Sequence, residues 1–190
     1  MLRKVNVDRY DDRLIVQTNL IESYDKLNEF ADKHLLDKFY LEGQMRVSLR
    51  GIISREIISN TLIHREFTSP HYARFIIEKE RMFIENANRA LSNDVMTPDN
   101  YIPNPKNPLI ASFFRNAWLA DEHGSGVRKL YHYVKRYSGE DPQMIDGDIF
   151  RVIVPLNDEY SYEVESERTL KNEGIVQRVG AAKNGQWIVK

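Results

Sequence analysis

The stretch SREIISNTLIHREF, residues 54–67, decides the fold class of this 190-residue chain. Its apolar residues recur at helical spacing and predict a helix from about Ile52 to Arg65. Glu56, Asn60 and His64 follow one another at intervals of four residues, so they form one polar stripe on that helix. Such polar groups are costly to bury on an apolar helix unless they bind something.

Two interpretations of this stripe stay open. A glutamate could orient a water molecule, and an asparagine could hold a hard cation through its carbonyl oxygen. Alternatively, the helix is half exposed and carries ordinary polar residues, which is the interpretation that spacing alone favours.

The flanking sequence alternates helix and strand signals. Asn19 can cap a first helix, with Glu22 as its capping-box partner. Further helices are predicted from Asn107-Pro108 and after Gly126. Strands are predicted at Leu14–Val16, Phe39–Leu41 and Met45–Leu49, as a pair within Tyr72–Asn86, and in two hairpins, Met144–Ile145 with Ile149–Val154 and Ile175–Val179 with Gln186–Val189. This order predicts a two-layer α/β sandwich with a mixed, mostly antiparallel sheet and helices on one face.

Composition excludes several classes of protein. The chain has no cysteine, which rules out disulfides, cysteine-ligated zinc and a thiol nucleophile. We find no apolar run of about 18 residues and no signal peptide, so we expect a cytoplasmic protein without a membrane partner. The net charge is −1, from 27 basic and 28 acidic residues, which argues against a non-specific nucleic-acid coat.

Charge order suggests a boundary near residue 155. We predict one domain over residues 1–155, an acidic linker over 156–167 and a truncated winged helix over 168–190. A basic helix followed by a hairpin is how a winged helix-turn-helix ends. The residues expected to contact duplex DNA are Arg168, Lys171, Arg178 and Lys183. A small packing hairpin with solvated basic residues fits the same sequence equally well.

Two further segments could serve a ligand site. Gly124, Ser125 and Gly126 directly precede a predicted helix, where unobstructed backbone N–H groups can bind an anion. The alternative is a helix start that merely needs a tight turn, and the chain has no Walker A loop. Residues 87–107 are irregular and long for a loop, as is typical of lids and binding loops.

The helix at Ser54–Phe67 resembles the "EALVNALVHRDY" helix of bacterial transcriptional regulators that are also labelled RecG-like helicase C-terminal. Five more segments agree with that family in order: Phe83–Asn86, Asn107–Ile110, Glu122–Val127, Ile149–Pro155 and Gly174–Val189. The resemblance runs from about Leu20 to Lys190, and the ordered set is more specific than any single motif.

This resemblance implies a domain related to the GHKL ATPases, which include gyrase, Hsp90 and histidine kinases. It implies that Glu56 is a candidate general base and that Asn60 is a candidate Mg²⁺ ligand. Glu85 or Asn86 takes the place of the adenine-binding acid, and residues 87–107 take the place of the ATP lid. The other implied nucleotide contacts are His64, Gly124, Ser125 and Gly126.

The sequence departs from the family pattern in three places. Asn88 and Arg89 replace two glycines. No Alba-like or Schlafen-type domain is seen, although members usually carry one upstream. Between Pro155 and Arg168 there is too little chain for the first two helices of a winged helix.

Three functions are compatible with these features. The first, favoured by the ordered family match, is a non-catalytic regulator core that forms homodimers and is coupled to a DNA-binding element. The second is a structural dimerisation module with a vestigial nucleotide pocket, in which Phe113, Phe114 and Trp118 are exposed interface residues. The third is a Mg²⁺-dependent ATP-binding and ATP-hydrolysing domain.

Overall fold

A computed structural model describes residues 2–4, 10–91, 94–102, 104–121, 125–161, 176–179 and 186–189. The helices in this part of the chain are α1 (Leu20–His34), α2 (Leu49–His64), α3 (Pro108–Asn116) and α4 (Ser125–Ser138). The strands are β1 (Leu2–Lys4), β2 (Tyr10–Arg13), β3 (Leu41–Glu42), β4 (Met45–Arg46), β5 (Arg74–Ile77), β6 (Arg81–Ala87), β7 (Val95–Met96), β8 (Gln143–Ile145), β9 (Ile149–Pro155), β10 (Val176–Val179) and β11 (Gln186–Val189).

The main sheet has seven strands in the order β2-β1-β5-β6-β9-β8-β7. Its neighbours pair antiparallel, except that β1 runs parallel to β5. The longest ladder joins β6 to β9, from Arg81 opposite Pro155 to Ala87 opposite Ile149. Helices α2 and α4 contact β6 and β9 respectively. The sequence prediction of a two-layer fold with a mixed, mostly antiparallel sheet is therefore confirmed.

The core lies between the sheet and the helices. Alternate residues of three central strands face it, as the two-residue period of a strand requires. These buried side chains are Phe75, Ile77, Met82, Ile84, Val152 and Val154, and α2 contributes Ile53, Ile57, Ile58 and Leu62. Burying each such side chain contributes roughly 1.5–3 kcal/mol. The apolar packing fixes α2 against the sheet and so sets the direction of its polar stripe.

Side-chain caps determine where the first two helices begin. Asn19 accepts a hydrogen bond of 2.9 Å from the backbone N–H of Glu22, as predicted. The Glu22 carboxylate instead pairs with Lys26 at 2.6 Å. Helix α2 begins three residues before the predicted Ile52, because the hydroxyl of Ser48 accepts from the N–H of Gly51 at 3.0 Å.

The strand prediction for Leu14–Val16 is wrong. The strand in this region is β2, which ends at Arg13, because it is the preceding residues that pair with β1. The strands around Gly43 are each two residues long: β3 shares only Leu41 with the predicted Phe39–Leu41, and β4 ends at Arg46, because Leu49 belongs to α2. The pair of strands within residues 72–86 and the hairpin of β8 with β9 are confirmed.

The set of exposed interface residues predicted after Asn107 is also corrected. Phe114 is completely buried, so it cannot serve as an exposed interface residue. Trp118 lies beyond the end of α3, in a left-handed conformation with φ of 57°, and is 86% exposed. Phe113 is 47% exposed.

The second predicted hairpin is confirmed in its strands, since β10 pairs antiparallel with β11. Its turn lies outside the described residues, as do residues 162–175. The basic residues Arg168, Lys171 and Lys183 therefore lie outside the described part of the chain, and for Arg178 the structure describes the backbone. In the described segments, each helix is too short or too polar to cross a membrane.

Candidate functional site

The polar stripe of α2 lines a cavity of about 140 Å³. The cavity lies between α2, the first turn of α4 and the turn that joins β8 to β9, and residues of the segment 88–106, here called the covering segment, close it. Its polar lining residues include Glu56, Ser59, Asn60 and His64 from α2, Asn88, Tyr101 and Lys106 from the covering segment, and Asp121 and Asp146. Segments that are far apart in the sequence thus meet at one site.

Glu56 and Asn60 form a hydrogen-bonded pair within this cavity. The Nδ2 amide of Asn60 donates to the backbone oxygen of Glu56 at 2.8 Å and to its Oε1 at 2.6 Å. Because the amide nitrogen is committed to Glu56, the carbonyl oxygen Oδ1 is the atom that Asn60 can offer to a ligand. An amide oxygen is a suitable ligand for a hard cation such as Mg²⁺.

Burial raises the pKa of Glu56 above its ordinary value. The hydrogen bond from Asn60 acts in the opposite direction, the nearby Asp121 raises the pKa further, and Lys129 lowers it. A carboxyl group with a raised pKa can exchange a proton closer to neutral pH than a solvated one can. Glu56 is thus chemically suited to accept a proton from a bound water.

Gly126, in the first turn of α4, packs directly against Glu56. A Cβ atom at this position would overlap the Oε1 atom and lie 3.0 Å from Cδ of Glu56. A larger residue here would therefore force the Glu56 carboxylate to shift. Ser125 begins α4, whereas Gly124 lies outside the described residues. The partial positive charge of the helix start faces the acidic group that it contacts.

His64 closes α2 and lines the same cavity. Burial, and secondarily the positive charge of Lys106, lowers the pKa of His64 to about 4. The imidazole is therefore neutral at pH 7, with one nitrogen that donates and one that accepts. A neutral ring of this kind can pair with a polar ligand without adding charge to the cavity.

Asp146 is a cavity residue that sequence analysis missed. It is buried, and it accepts hydrogen bonds from Nδ2 of Asn88 at 2.7 Å and from the N–H of Leu91 at 2.8 Å. Lys106 adds contacts to the side chain of Asn88 and to the backbone oxygen of Arg89. These bonds hold both ends of the covering segment over the cavity.

The same bonds explain what Asn88 does in place of the family's glycine. Within the described residues, the non-glycine residue with a positive φ is Trp118. Asn88 and Arg89 therefore have negative φ angles, and their backbone does not need glycine. The side chain of Asn88 bridges Asp146 and Lys106, and it also donates to the backbone oxygen of Gly147 at 2.7 Å. A glycine could make none of these side-chain bonds.

Glu85 and Asn86 do not line this cavity, although the family resemblance implies that one of them takes the place of the adenine-binding acid. Successive residues of β6 point to opposite faces of the sheet. Glu85 pairs with Arg74 and Arg151, each at 2.5 Å. Asn86 is buried and donates to the backbone oxygen of Thr61 at 3.0 Å. The structure thus brings together Glu56, Asn60, His64 and Gly126, and it leaves these two residues outside.

A metal ion at this site would need ligands from the substrate. Within the described ranges, no three His, Asp or Glu side chains are grouped so that they could hold a metal ion. Mg²⁺ commonly binds through one or two protein oxygens together with substrate phosphates and water. The pair of Asn60 and Glu56 fits that mode of binding, and it does not fit a metal site built from protein ligands alone.

Comparisons with known proteins identify a similarity to one family model and to solved structures. Residues 74–154 match the family model described as "Putative ATP-dependent DNA helicase recG C-terminal". The crystal structure of the DIP2311 protein from Corynebacterium diphtheriae matches with a TM-score of 0.66 and 18% identity, over 82% of this chain and 34% of that one. The present chain thus spans about a third of that protein. No curated protein gives a significant match.

The likeness to the solved structure concerns the fold alone. The matched family region begins with β5 and ends at Val154 of β9, so it contains the covering segment, α3 and α4. Helix α2, with Glu56 and Asn60, precedes that region. The family match supports a relation between this chain and the RecG C-terminal-like family, with an ATPase-like domain.

Proposed function

We propose that this chain is a nucleotide-responsive regulator core, in which Mg²⁺ and ATP bind in the cavity and the C-terminal element contacts duplex DNA. One observation carries the proposal: the cavity unites the pair of Glu56 and Asn60 with the start of α4 at Gly126. These are the residues that the family resemblance assigns to the metal, the attacking water and the phosphates. The match of residues 74–154 to an ATPase-like family includes Gly126, though not Glu56 or Asn60, and supports a nucleotide as the ligand.

The chemistry of the cavity suits this ligand. The carbonyl oxygen of Asn60 would hold Mg²⁺, and the first turn of α4 would face the phosphates with its backbone N–H groups. Bound Mg²⁺ would neutralise phosphate charge. Glu56 would orient a water molecule from its position beside Asn60. We assign binding rather than rapid turnover, because Glu56 is packed between Asn60 and Gly126 and is already engaged by both.

The cavity must enlarge to admit a nucleotide. Its volume of about 140 Å³ is smaller than the roughly 300–1,000 Å³ of most ligand sites. The bonds of Asp146 and Lys106 hold the covering segment in place. We therefore propose that this segment moves outward when ATP binds, as a lid would.

Asn60→Ala is expected to abolish binding of ATP with Mg²⁺, because it removes the amide oxygen assigned to the metal. Isothermal titration calorimetry of the full chain measures this directly. Asn28→Ala is the matched control, since Asn28 also donates Nδ2 to the backbone oxygen four residues earlier, at 2.8 Å, but on α1. Equal ATP affinity in wild type and Asn60→Ala would contradict the assignment of the site.

Charge reversal at Arg168 and Lys171 is expected to weaken binding of duplex DNA and to reduce the slope of affinity against salt concentration. Each lost phosphate contact removes about one released counterion. Fluorescence anisotropy with a labelled duplex at several salt concentrations measures both quantities. Reversal of the exposed lysines Lys33 and Lys135 provides the control. The proposed DNA contact would be refuted if the wild-type chain does not bind duplex DNA at low salt. It would also be refuted if reversal at Lys33 and Lys135 weakens binding as much as reversal at Arg168 and Lys171.

A further inference from the structure

Lys38 is a buried lysine that fastens three parts of the chain together. It is 9% exposed, although lysine is rarely buried without partners. Its ammonium group donates to the backbone oxygens of Tyr137 at 2.5 Å, Asn157 at 2.5 Å and Tyr160 at 2.9 Å. Three carbonyl oxygens thus replace the water that a solvated ammonium would bind. One of them belongs to the last turn of α4, and the other two belong to the segment that follows β9.

Aromatic packing completes this clamp. The Lys38 ammonium lies 4.8 Å from the ring centroid of Tyr137 and 5.6 Å from that of Tyr160. Gly139 has a φ of +85°, and a Cβ atom there would lie 2.8 Å from the Tyr160 ring. The ring therefore sits directly on glycine backbone just after α4. Desolvation lowers the pKa of Lys38, and the charge of Asp158 acts against this effect.

Helix α4 joins this clamp to the nucleotide cavity. Its first turn packs on Glu56 through Gly126, and its last turn supplies the carbonyl oxygen of Tyr137 to Lys38. Between these ends, Val127, Leu130 and Val134 are buried in the core. A regular helix rises about 1.5 Å per residue, so the part of α4 from Gly126 to Tyr137 is roughly 16 Å long. We expect this packed helix to transmit a displacement of its first turn to its last turn.

We propose that Lys38 clamps the segment 157–160 to the end of α4, so that this helix relays changes at Glu56 to that segment. The clamp and the relay are properties of the folded chain and need no ligand. That ATP is the natural trigger rests on the function proposed above. Removal of the clamp would leave the cavity intact but would release residues 157–160 from the end of α4.

Hydrogen exchange tests the clamp. The backbone N–H of Tyr160 donates to the oxygen of Asn157 at 3.1 Å, and that of Leu156 donates to Glu80 at 2.8 Å, so this segment contains protected amides. We expect Lys38→Met to speed exchange at Tyr160 at least tenfold, with unchanged exchange in β6 and β9. Lys26→Met, at a solvated lysine, is the control. Unchanged exchange at Tyr160 in folded Lys38→Met would overturn the clamp. If that variant does not fold, Gly139→Ala, which displaces the Tyr160 ring, gives the same test.

A wedge at the opposite end of α4 tests the relay without nucleotide. Gly126→Ala places a methyl group against Glu56 and is expected to speed exchange at Tyr160. Glu56→Ala in the same chain removes the overlapping carboxylate and is expected to restore slow exchange. Gly147→Ala is the matched control, because its Cβ would meet the backbone oxygen of Ile149 at an ordinary 3.5 Å. Unchanged exchange at Tyr160 in Gly126→Ala would overturn the relay.

A third measurement separates this inference from the proposed function. Exchange at Tyr160 is followed with and without ATP and Mg²⁺, in wild type and in Lys38→Met. We expect the nucleotide to alter exchange in wild type and to have no effect in Lys38→Met. Absence of ATP binding by calorimetry would refute the proposed function, while the wedge variant would still decide the relay. ATP binding without any change at Tyr160 would refute the relay alone.

Discussion

Phe114→Ala is expected to lower the free energy of unfolding by about 3–5 kcal/mol, the range for deletion of a fully buried phenylalanine. Phe114 has no exposed surface, and its ring packs edge-on against Tyr24 with centroids 6.1 Å apart. Alanine would leave a cavity beside Tyr24, between α1 and α3. Chemical denaturation measures the loss, and the melting temperature should fall by roughly 2–4 °C for each kcal/mol.

The neighbouring residue supplies the control for this prediction. Phe113 is 47% exposed, so Phe113→Ala should cost less than about 1 kcal/mol. Similar losses in both variants would show that the two rings share one environment, contrary to the structure. The exposure of these residues also limits the dimerisation hypothesis. Phe113 and Trp118 are accessible to a partner, whereas Phe114 is part of the core. Homodimer formation itself remains a prediction.

His64→Gln is expected to change how stability depends on pH. The pKa of His64 is about 4 in the folded protein and about 6.5 in the unfolded chain, so unfolding takes up a proton between these values. The stabilising contribution of the neutral ring is complete above pH 6.5 and is lost as the pH falls towards 4. This loss amounts to about 3 kcal/mol of folding stability. Glutamine cannot titrate in this range, so the His64→Gln variant lacks this part of the pH dependence.

Urea denaturation at several pH values between 7 and 4 measures this effect. The difference in stability between wild type and His64→Gln should change by about 3 kcal/mol over that range. The raised pKa of Glu56 acts in the opposite direction, but it is present in both proteins and cancels in the difference. His71→Gln, at an exposed histidine, is the control. Parallel stability profiles of wild type and His64→Gln would show that the ring is solvated.

Local signals were sufficient for most of the elements. The cap at Asn19 and the proline at 108 fix the starts of α1 and α3, and both are visible within a few residues of sequence. The cap at Ser48 is also local, but the apolar periodicity that follows it begins later, so the predicted start of α2 was late. The position of strand β2 depends on its pairing with β1, and no local sequence pattern reveals that partner.

The candidate site was predictable where its residues share one element. The spacing of Glu56, Asn60 and His64 predicted one stripe on α2, and all three line the cavity. Spacing alone favoured ordinary polar residues on a half-exposed helix, so the cavity itself was not predicted by it. Asp146 could not be found in this way, because an acid before glycine looks like ordinary turn chemistry. Its role depends on bonds to Asn88 and Leu91, which are distant in sequence. A lone lysine in a loop, such as Lys38, gives no pattern at all.

Asn107 illustrates a further limit of local reasoning. Its position before Pro108 predicts a helix cap, but its side chain makes no capping bond to α3. Its Nδ2 amide instead donates to the backbone oxygens of Ile63 at 2.8 Å and Arg65 at 2.9 Å, at the end of α2. These carbonyl groups lack partners within their own helix. The sequence position was correct, but tertiary contact decided which helix the side chain serves.

The ladder between β6 and β9 also governs the order in which the chain can fold. Ala87 pairs with Ile149, so the covering segment, α3 and α4 all lie within the loop that this ladder closes. Closing a long loop costs chain entropy before any contact repays it, which slows folding. A nascent chain that ends before Ile149 leaves the edge of β6 that faces β9 unpaired. We expect such truncated chains to aggregate and to need chaperones until β9 has been synthesised.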